Sequence, residues 1–470
     1  MNNNSLTEGS VLKSLLSLSV PIIATNLLHT AYQLTDTFWV GRLGASAIAA
    51  VSISFPIIFF FIAWGGGMAM AGSILVAQYK GKSDQGAVNH IATQTLLFIL
   101  VVAVFLSAIG YFFAPHLINL MGAEPDVYED AVSYLKISLI GITFLFIYIM
   151  FQSLMRGVGK VNVPMFIVLG TVLLNLIFDP LFIFGWGSFP AMGVSGAALS
   201  SILTQGLSAA IGIYLLFRKK GEIRIRWSEL KPDFPLIKKM FNLGLPASIE
   251  QSSRSILMII MMFLVVAFGT VVTAAYGIGT RMMAVVIIPA IGLSMATSAL
   301  VGQNMGAGKI YRAEKIAKIS AAVGFAVLSL AGVLMFFFAE HLAGFFVPGE
   351  PEAIGQSVQF LRLMSFAFGF IAVHQVISGV FRGAGNTITS MVLTLVSLWV
   401  LLLPLAYFLS QRTSLAETGI WIAFPVADII ATVVTIIWFL RGTWKNKKIT
   451  EEVKIKEKIA EEAIIEEGIN

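Results

Sequence analysis

Uncharged, apolar segments long enough to cross a lipid bilayer recur along the whole chain. A membrane-spanning helix needs about 20 such residues. Reading between charged or Pro/Gly-rich breaks gives twelve, at 12–38, 45–79, 90–114, 131–153, 162–184, 193–217, 240–267, 271–302, 317–339, 354–379, 387–410 and 418–440. With 12% charged and 57% hydrophobic residues, the chain has too few charges to cover a soluble globule. The sequence therefore predicts an all-α membrane protein with twelve transmembrane helices.

Several functional classes are excluded by what the sequence lacks. The net charge of +6 comes from basic residues spread over connecting segments, which favours a topology signal over nucleic-acid binding. No zinc-ligand spacing, nucleophile elbow, catalytic triad or Walker pattern occurs, so we expect neither an enzyme nor direct ATP drive. The chain contains no cysteine, which excludes disulfides and thiolate chemistry. We expect no cofactor and no nucleic-acid partner, with the lipid bilayer as surroundings.

The connecting segments alternate in charge along the chain. The run 218–239 is basic, whereas 124–130 and 350–352 on the opposite side are acidic. The positive-inside rule places the basic segments, and with them both termini, in the cytoplasm. We therefore predict a multi-pass protein of the cell membrane.

The two halves of the chain repeat. The motif LSVP ending at Pro21 recurs as LGLP ending at Pro246, and RGVG from Arg156 recurs as RGAG from Arg382. Because each half has six spans, an even number, both enter the membrane from the same side and are related by a pseudo-twofold axis along its normal. We predict two six-helix bundles, with an N-terminal lobe at 1–217, a basic cytoplasmic linker at 218–239, a C-terminal lobe at 240–441 and a cytoplasmic tail at 442–470. In the linker, Trp227 and its flanking cations fit a helix on an anionic membrane surface or a solvated loop equally well.

The first span carries a polar stripe inside apolar surroundings. Asn26, His29, Gln33 and Asp36 follow each other at steps of three or four and so share one helical face. A carboxylate in hydrocarbon costs about 2.5–3.5 kcal/mol on insertion scales, so a chain that keeps one there usually has a use for it. We expect Asp36 to bind a proton or a sodium ion. The alternative is an interfacial residue paired with Arg42.

A second polar stripe lies on the fifth span. Thr171, Asn175 and Asp179 follow at steps of four, and Asp179 reaches a depth similar to that of Asp36. Pro180 removes a backbone hydrogen bond and leaves a carbonyl free for a cation or water. A simple helix-end role for Asp179 before this proline is the alternative. If the ion is sodium, its ligands are Asp36, Asp179 and Asn175.

The equivalents of both acids in the second half are apolar, which confines the predicted ion site to the first lobe. Asp36 corresponds to Met261 and Asp179 to Leu405. Architecture alone does not require such an asymmetry. We therefore attribute the two acids to function.

Three other positions have more local interpretations. Pro21 bends the first helix and is a candidate hinge. His29 is either a proton relay or a hydrogen-bonded packing histidine. Glu250 and Arg254, four residues apart with the acid first, form an intrahelical pair for which we predict a structural role.

Five motifs connect the chain with a known family: TDTFWVGRLG at 35–44, VAQYKG at 76–81, RGVGKVNVP at 156–164, its echo RGAGNT at 382–387, and NLIFDP at 175–180. In these motifs, and from about residue 11 to 441, the chain resembles the multidrug and toxic compound extrusion (MATE) family. The resemblance implies twelve helices in two lobes. It also implies export of cationic or amphipathic organic compounds in exchange for protons or sodium, by alternating access.

The chain is most similar to the DinF-like branch, whose functional residues lie in the N-terminal lobe. This resemblance implies a cation-coupling role for Asp36 and Asp179. The neighbours predicted around them, from the resemblance or from the two stripes, are Tyr32, Asn175, Tyr134, Gln33, His29, Asn26, Thr171, Ser201 and Thr204. Another branch keeps acids in the seventh and tenth spans, where this chain has Arg254 and Ile371. We therefore expect no sodium site in the C-terminal lobe.

Two rival functions remain open. A flippase for lipid-linked sugars, from the related exporter superfamily, needs a strongly cationic cleft for anionic phosphates, and the sequence offers only Arg254 and Arg281 for it. A passive channel or receptor has no need of titratable groups buried in one lobe. We predict a secondary active antiporter for multidrug efflux, working as a monomer on small organic cations or amphipathic drugs.

Overall fold

The computed structural model describes residues 6–186, 190–218, 221–225, 230–447 and 449–450. Long helices make up most of this part of the chain. They are α1 (Val11–Gly41), α2 (Ala45–Gly81), α3 (Gln85–Leu120), α4 (Pro125–Gly157), α5 (Asn162–Phe184), α6 (Gly193–Phe217), α7 (Phe234–Val266), α8 (Thr270–Gly306), α9 (Ile310–Phe346), α10 (Pro351–Ser365), α11 (Phe368–Gly383), α12 (Thr387–Leu395), α13 (Leu403–Gln411) and α14 (Glu417–Leu440). A π-helix, Val396–Leu402, joins α12 to α13, and a short 3₁₀-helix, Thr443–Asn446, follows α14.

The predicted all-α architecture is confirmed. Eleven helices in the described residues, with Thr387–Gln411 taken as one, are long and apolar enough to cross a membrane. Helices α10 and α11 meet at 52° and complete a twelfth span if the bent pair crosses as one. The π-helix lies just before Pro404, which has no N–H and crowds the carbonyl of Val400, so the helix widens there.

Several helices extend beyond the predicted spans because polar residues cap and continue them. The α3 helix begins at Gln85, where the Asp84 carboxylate accepts a hydrogen bond from the Ala87 N–H at 2.9 Å. The α7 helix begins at Phe234, earlier than the predicted 240, because Asp233 caps it through the Leu236 N–H at 3.1 Å. The division at 217, 239 and 441 stays a prediction, whereas Trp227 and most of the tail lie outside the described residues.

Each half of the chain contains an apolar core, and a third apolar cluster joins α1 to helices of the second half. In the first, Phe146 and Phe151 of α4 are fully buried among α2, α3 and α6. In the second, Phe360 of α10 stacks on Trp421 of α14 with ring centroids 4.5 Å apart, beside Tyr276 of α8. The first two cores agree with two helical bundles, whereas the third core lies where the two halves meet.

The two bundles contact each other through equivalent residues of the repeat. We call the side on which α2, α4, α6 and α8 end the basic side. There the Gln78 amide donates to the Gly383 carbonyl at 3.0 Å, and the Gln303 amide donates to the Gly157 carbonyl at 2.8 Å. Each glutamine reaches into the opposite half, as a twofold relation requires.

Two glycines allow backbone contact between α2 and α8 at this junction. A Cβ added to Gly81 would lie 1.9 Å from the Gln303 carbonyl oxygen, and one added to Gly306 would lie 1.8 Å from that of Gln78. Helices in membranes approach this closely only where side chains are absent. The lobes are therefore closed against each other on the basic side.

Candidate ion and substrate sites

Asp36 of α1 and Asp179 of α5 lie against the same amide group. The Asn175 Nδ2 atom is 2.7 Å from Asp179 Oδ1 and 3.5 Å from Asp36 Oδ1. It is also 3.3 Å from Ser200 Oγ on α6. Asn175 and Asp179 are fully buried and Asp36 is partly buried. The structure thus brings the two predicted acids into one chamber in the first lobe.

Two oxygen atoms of this chamber lack a hydrogen-bond donor within the described part of the chain. Asn175 Oδ1 and Asp179 Oδ2 are buried and accept no hydrogen bond from a donor among the described residues. Two adjacent buried carboxyl groups cannot both stay ionised without a compensating positive charge. A proton shared by Asp36 and Asp179 satisfies this requirement. A sodium ion held by these carboxyls and Asn175 Oδ1 does so as well.

Any sodium site here depends on amide and hydroxyl oxygens in addition to the two acids. The described residues contain no group of three or more His, Cys, Asp or Glu side chains placed to hold a metal ion. Oxygen atoms are the ligands that hard cations prefer, and Asn175 Oδ1 is one without a donor. This set of oxygen ligands therefore fits a weakly held small cation or a proton.

Hydroxyl groups of three helices line the same chamber. The Tyr32 hydroxyl donates to Ser201 Oγ at 2.9 Å and lies 3.0 Å from Thr204 Oγ1. Thr171 of α5 hydrogen-bonds across to Ser208 of α6. Tyr134 of α4, which was also predicted as a neighbour, is buried in the first-half core. These hydrogen bonds connect α1 and α5 to α6.

Three residues of the α1 stripe lie elsewhere. Asn26 lines a cavity between the lobes, the His29 Nε2 atom is 3.4 Å from Gln152 Nε2, and Gln33 is exposed. From Asn26 to Asp36 the helix rises by about 15 Å, which is longer than one ion site. Residues on this one helical face therefore lie in two separate regions of the protein.

Two other predictions about α1 concern Pro21 and Arg42. Pro21 lies within the continuous α1 helix, and its carbonyl accepts from the Thr25 hydroxyl at 2.8 Å. Its role as a hinge stays a prediction. The Arg42 guanidinium lies over the Phe38 and Trp39 rings, at 4.7 and 5.0 Å from their centroids. In the alternative interpretation Arg42 pairs with Asp36. In the structure, its guanidinium contacts these two rings in place of a carboxylate.

Two adjoining cavities lie between the lobes, with volumes of about 210 and 230 Å³. Arg156 lines both, and Arg254 and Arg382 line the first. The expectation that only Arg254 and Arg281 provide cationic groups in the cleft is therefore wrong. Arg156 and Arg382 belong to the last turns of α4 and α11, which meet at the junction of the lobes. The repeated Arg-Gly-x-Gly motif marks both positions in the sequence, but it does not show that they line a cavity.

Glu250 is the buried centre of a hydrogen-bonded network in the second lobe. Its Oε1 atom is 3.2 Å from Arg382 Nη1 and 3.8 Å from Arg254 Nη2. The Ser390 and Thr394 hydroxyls of α12 donate to it at 2.8 and 3.2 Å. The predicted pair with Arg254 exists, but the shorter contact crosses from α7 to α11, which a sequence pattern cannot reveal.

We expect Glu250→Ala to destabilise the protein by about 3–5 kcal/mol, because it leaves the largely buried Arg382 guanidinium without its carboxylate. Thermal unfolding in detergent, followed by the loss of monodisperse protein, measures this. Glu124→Ala, which removes an exposed loop acid, is the matched control. Equal melting temperatures for the two variants would contradict the structural role.

Comparison with known proteins places the chain among transporters. The MatE family model matches residues 21–181 and 246–408. The probable multidrug resistance protein YpnP of Bacillus subtilis is 28% identical over 449 residues, which are 95% of this chain and 98% of the relative. The probable multidrug resistance protein NorM of Thermotoga maritima is 27% identical over 447 residues, 95% and 96% of the two chains.

A solved structure gives the same result for the fold. It is described as the outward-facing conformation of a multidrug resistance MATE family transporter of the MOP superfamily. Its TM-score is 0.89 at 25% identity, covering 95% of this chain and 99% of that one. The similarity extends over both lobes, as the repeat predicts.

Proposed function

Since this chain belongs to the MATE family, whose members are membrane transporters and not enzymes, we propose that it exports cationic or amphipathic organic compounds in exchange for protons or sodium ions. The observation that carries this proposal is the carboxyl pair around Asn175. A buried pair of acids in one lobe has a use in a carrier that takes up and releases a small cation, and none in a passive pore.

Competition at the carboxyl pair couples the ion to the substrate. In a desolvated site, the charged form of Asp36 is stabilised by a bound cation, whereas uptake of a proton removes the charge that holds this cation. Protonation from outside therefore releases the substrate or sodium ion. The α1 helix, linked to α6 through Tyr32, then rearranges near Pro21 and favours the inward-facing state.

The available driving force is sufficient for efflux. One pH unit is worth about 1.4 kcal/mol per proton, and 100 mV adds about 2.3 kcal/mol per charge. Because every 1.4 kcal/mol is a factor of about ten, one proton supports a substrate gradient of over about a hundredfold. This estimate applies when the substrate itself moves no net charge against the field.

The closed junction on the basic side supports an outward-facing state. By the positive-inside rule this side is cytoplasmic, so both termini lie in the cytoplasm and the protein lies in the cell membrane. Gly81 and Gly306 seal the cytoplasmic route between the lobes. The two lobes complete the substrate route within one chain, so the working unit is a monomer.

The coupling ion can be identified by applying a pH gradient or a sodium gradient separately to proteoliposomes loaded with a fluorescent organic cation. We expect substrate movement under a pH gradient or a sodium gradient applied alone, and the effective gradient identifies the ion. Transport that continues unchanged after both gradients are collapsed would contradict antiport and favour a channel.

The flippase alternative is not favoured by the comparisons. The relatives reported above are named multidrug resistance proteins. The additional arginines in the cleft nevertheless bear on the substrate, because they determine which charges a compound in this cavity meets.

A further inference from the structure

The first interlobe cavity contains three guanidinium groups and one carboxylate. Arg156 comes from the first lobe, whereas Arg254, Arg382 and Glu250 come from the second. Glu250 is engaged by Arg382 and Arg254. The carboxylate of this cavity is thus paired with the second-lobe arginines, and Arg156 has no carboxylate partner among the described residues.

Arg156 uses few of its hydrogen-bond donors within the protein. Its Nη2 atom donates to Ser153 Oγ at 2.8 Å, and its Nη1 atom lies 2.8 Å from Met295 Sδ. A thioether is a weak acceptor, whereas a guanidinium group carries five N–H donors. Most N–H groups of Arg156 therefore have no strong acceptor among the described residues, although the guanidinium lines both cavities.

A partly buried guanidinium without a counter-ion is unfavourable, and an oxyanion is its best partner. Its planar fork matches a carboxylate or phosphate with two parallel hydrogen bonds. Gln251, which also lines both cavities, supplies a neutral amide beside it. The Arg156 guanidinium thus suits an anionic group, and the Gln251 amide suits uncharged polar atoms next to that group.

We propose that Arg156 and Gln251 form a subsite for an oxyanion carried by the transported compound. This inference rests on the proposed function in taking the interlobe cavity as the substrate route. It narrows the substrates to amphipathic molecules that combine a cationic centre with a carboxylate or phosphate. A compound held this way contacts the first lobe through Arg156 and the second lobe through Gln251.

Two dyes that differ in one group test this inference directly. Rhodamine 110 has a free carboxylate and is a zwitterion, whereas rhodamine 123 is its methyl ester and a cation. Binding to protein in phosphatidylcholine nanodiscs is measured by fluorescence anisotropy without any ion gradient. We expect Arg156→Gln to weaken binding of rhodamine 110 roughly tenfold or more, and binding of rhodamine 123 less than about twofold.

The matched control is Arg412→Gln, which removes an exposed guanidinium outside the cavity. It should leave the affinity for both dyes unchanged. Retained binding of rhodamine 123 by Arg156→Gln shows that this variant is folded. Equal loss for both dyes, or no loss for either, would overturn the oxyanion subsite.

One more arm separates a substrate from a lipid as the source of the oxyanion. The titration with rhodamine 110 is repeated in nanodiscs that contain phosphatidylglycerol. Unchanged affinity supports a subsite for the substrate, whereas competition by this lipid that disappears in Arg156→Gln assigns the subsite to a headgroup and overturns the proposal. Because no step uses a gradient, failure of ion coupling in Asp36→Asn leaves this result untouched.

Discussion

Asp36→Asn is expected to abolish ion-driven export while the protein remains folded. Asparagine keeps the size and most hydrogen bonds of the side chain, but it cannot exchange a proton or carry the charge that holds a cation. The substrate gradient that proteoliposomes build up should fall from over about a hundredfold to about onefold, because the coupled free energy is lost. Asp179→Asn should have the same effect, since Asn175 joins both acids.

Asp130→Asn is the control for this experiment, because it removes an exposed acid that contacts neither lobe's site. Its substrate gradient should equal that of the unchanged protein. All variants are compared at equal amounts of monodisperse protein in the vesicles. Normal substrate accumulation by Asp36→Asn would refute the coupling role of the carboxyl pair.

Gly306→Val is expected to prevent the lobes from closing on the basic side. A Cβ at this position would meet the Gln78 carbonyl at 1.8 Å, far inside van der Waals contact. Because the obstacle is backbone, α2 and α8 must separate instead of repacking a side chain. The outward-facing state is then lost, and with it export, although each lobe keeps its own core.

Spin labels report this separation directly because the chain has no cysteine to remove. Gly86→Cys on α3 and Tyr311→Cys on α9 place one label on each lobe at exposed positions of the basic side. Gly306→Val should shift the distance distribution to longer values. Gly277→Val on the same helix is the control, since its Cβ meets nothing within 4 Å. A distribution identical to that of the unchanged protein would contradict the sealing role of Gly306.

The carboxyl pair shows how much of the site the helical periodicity of the sequence predicts. The steps of four between Thr171, Asn175 and Asp179 predict one polar face, and the structure shows that face bonded across to α6. The stripe on α1 was less informative, because Gln33 is exposed although it has the same spacing. Spacing gives a direction around a helix, but the neighbour in that direction depends on how the helices pack.

The arginines illustrate the opposite case. Arg156 and Arg382 resemble ordinary loop cations at helix ends in the sequence. Their side chains line the interlobe cavity because α4 and α11 end where the two lobes meet. The partnership of Glu250 with Arg382 likewise joins residues that are distant in the chain.

The amino-acid sequence accounts for the apolar spans, the two-lobed repeat and the location of the acids in one half of the chain. In a bilayer every backbone polar group must be satisfied within its own segment, so apolar length and charge breaks determine the helices locally. The shared chamber, the glycine contact at the basic side and the cationic cavity were decided only by tertiary structure. They depend on the rotation and approach of helices from different parts of the chain, for which no local pattern carries a signal.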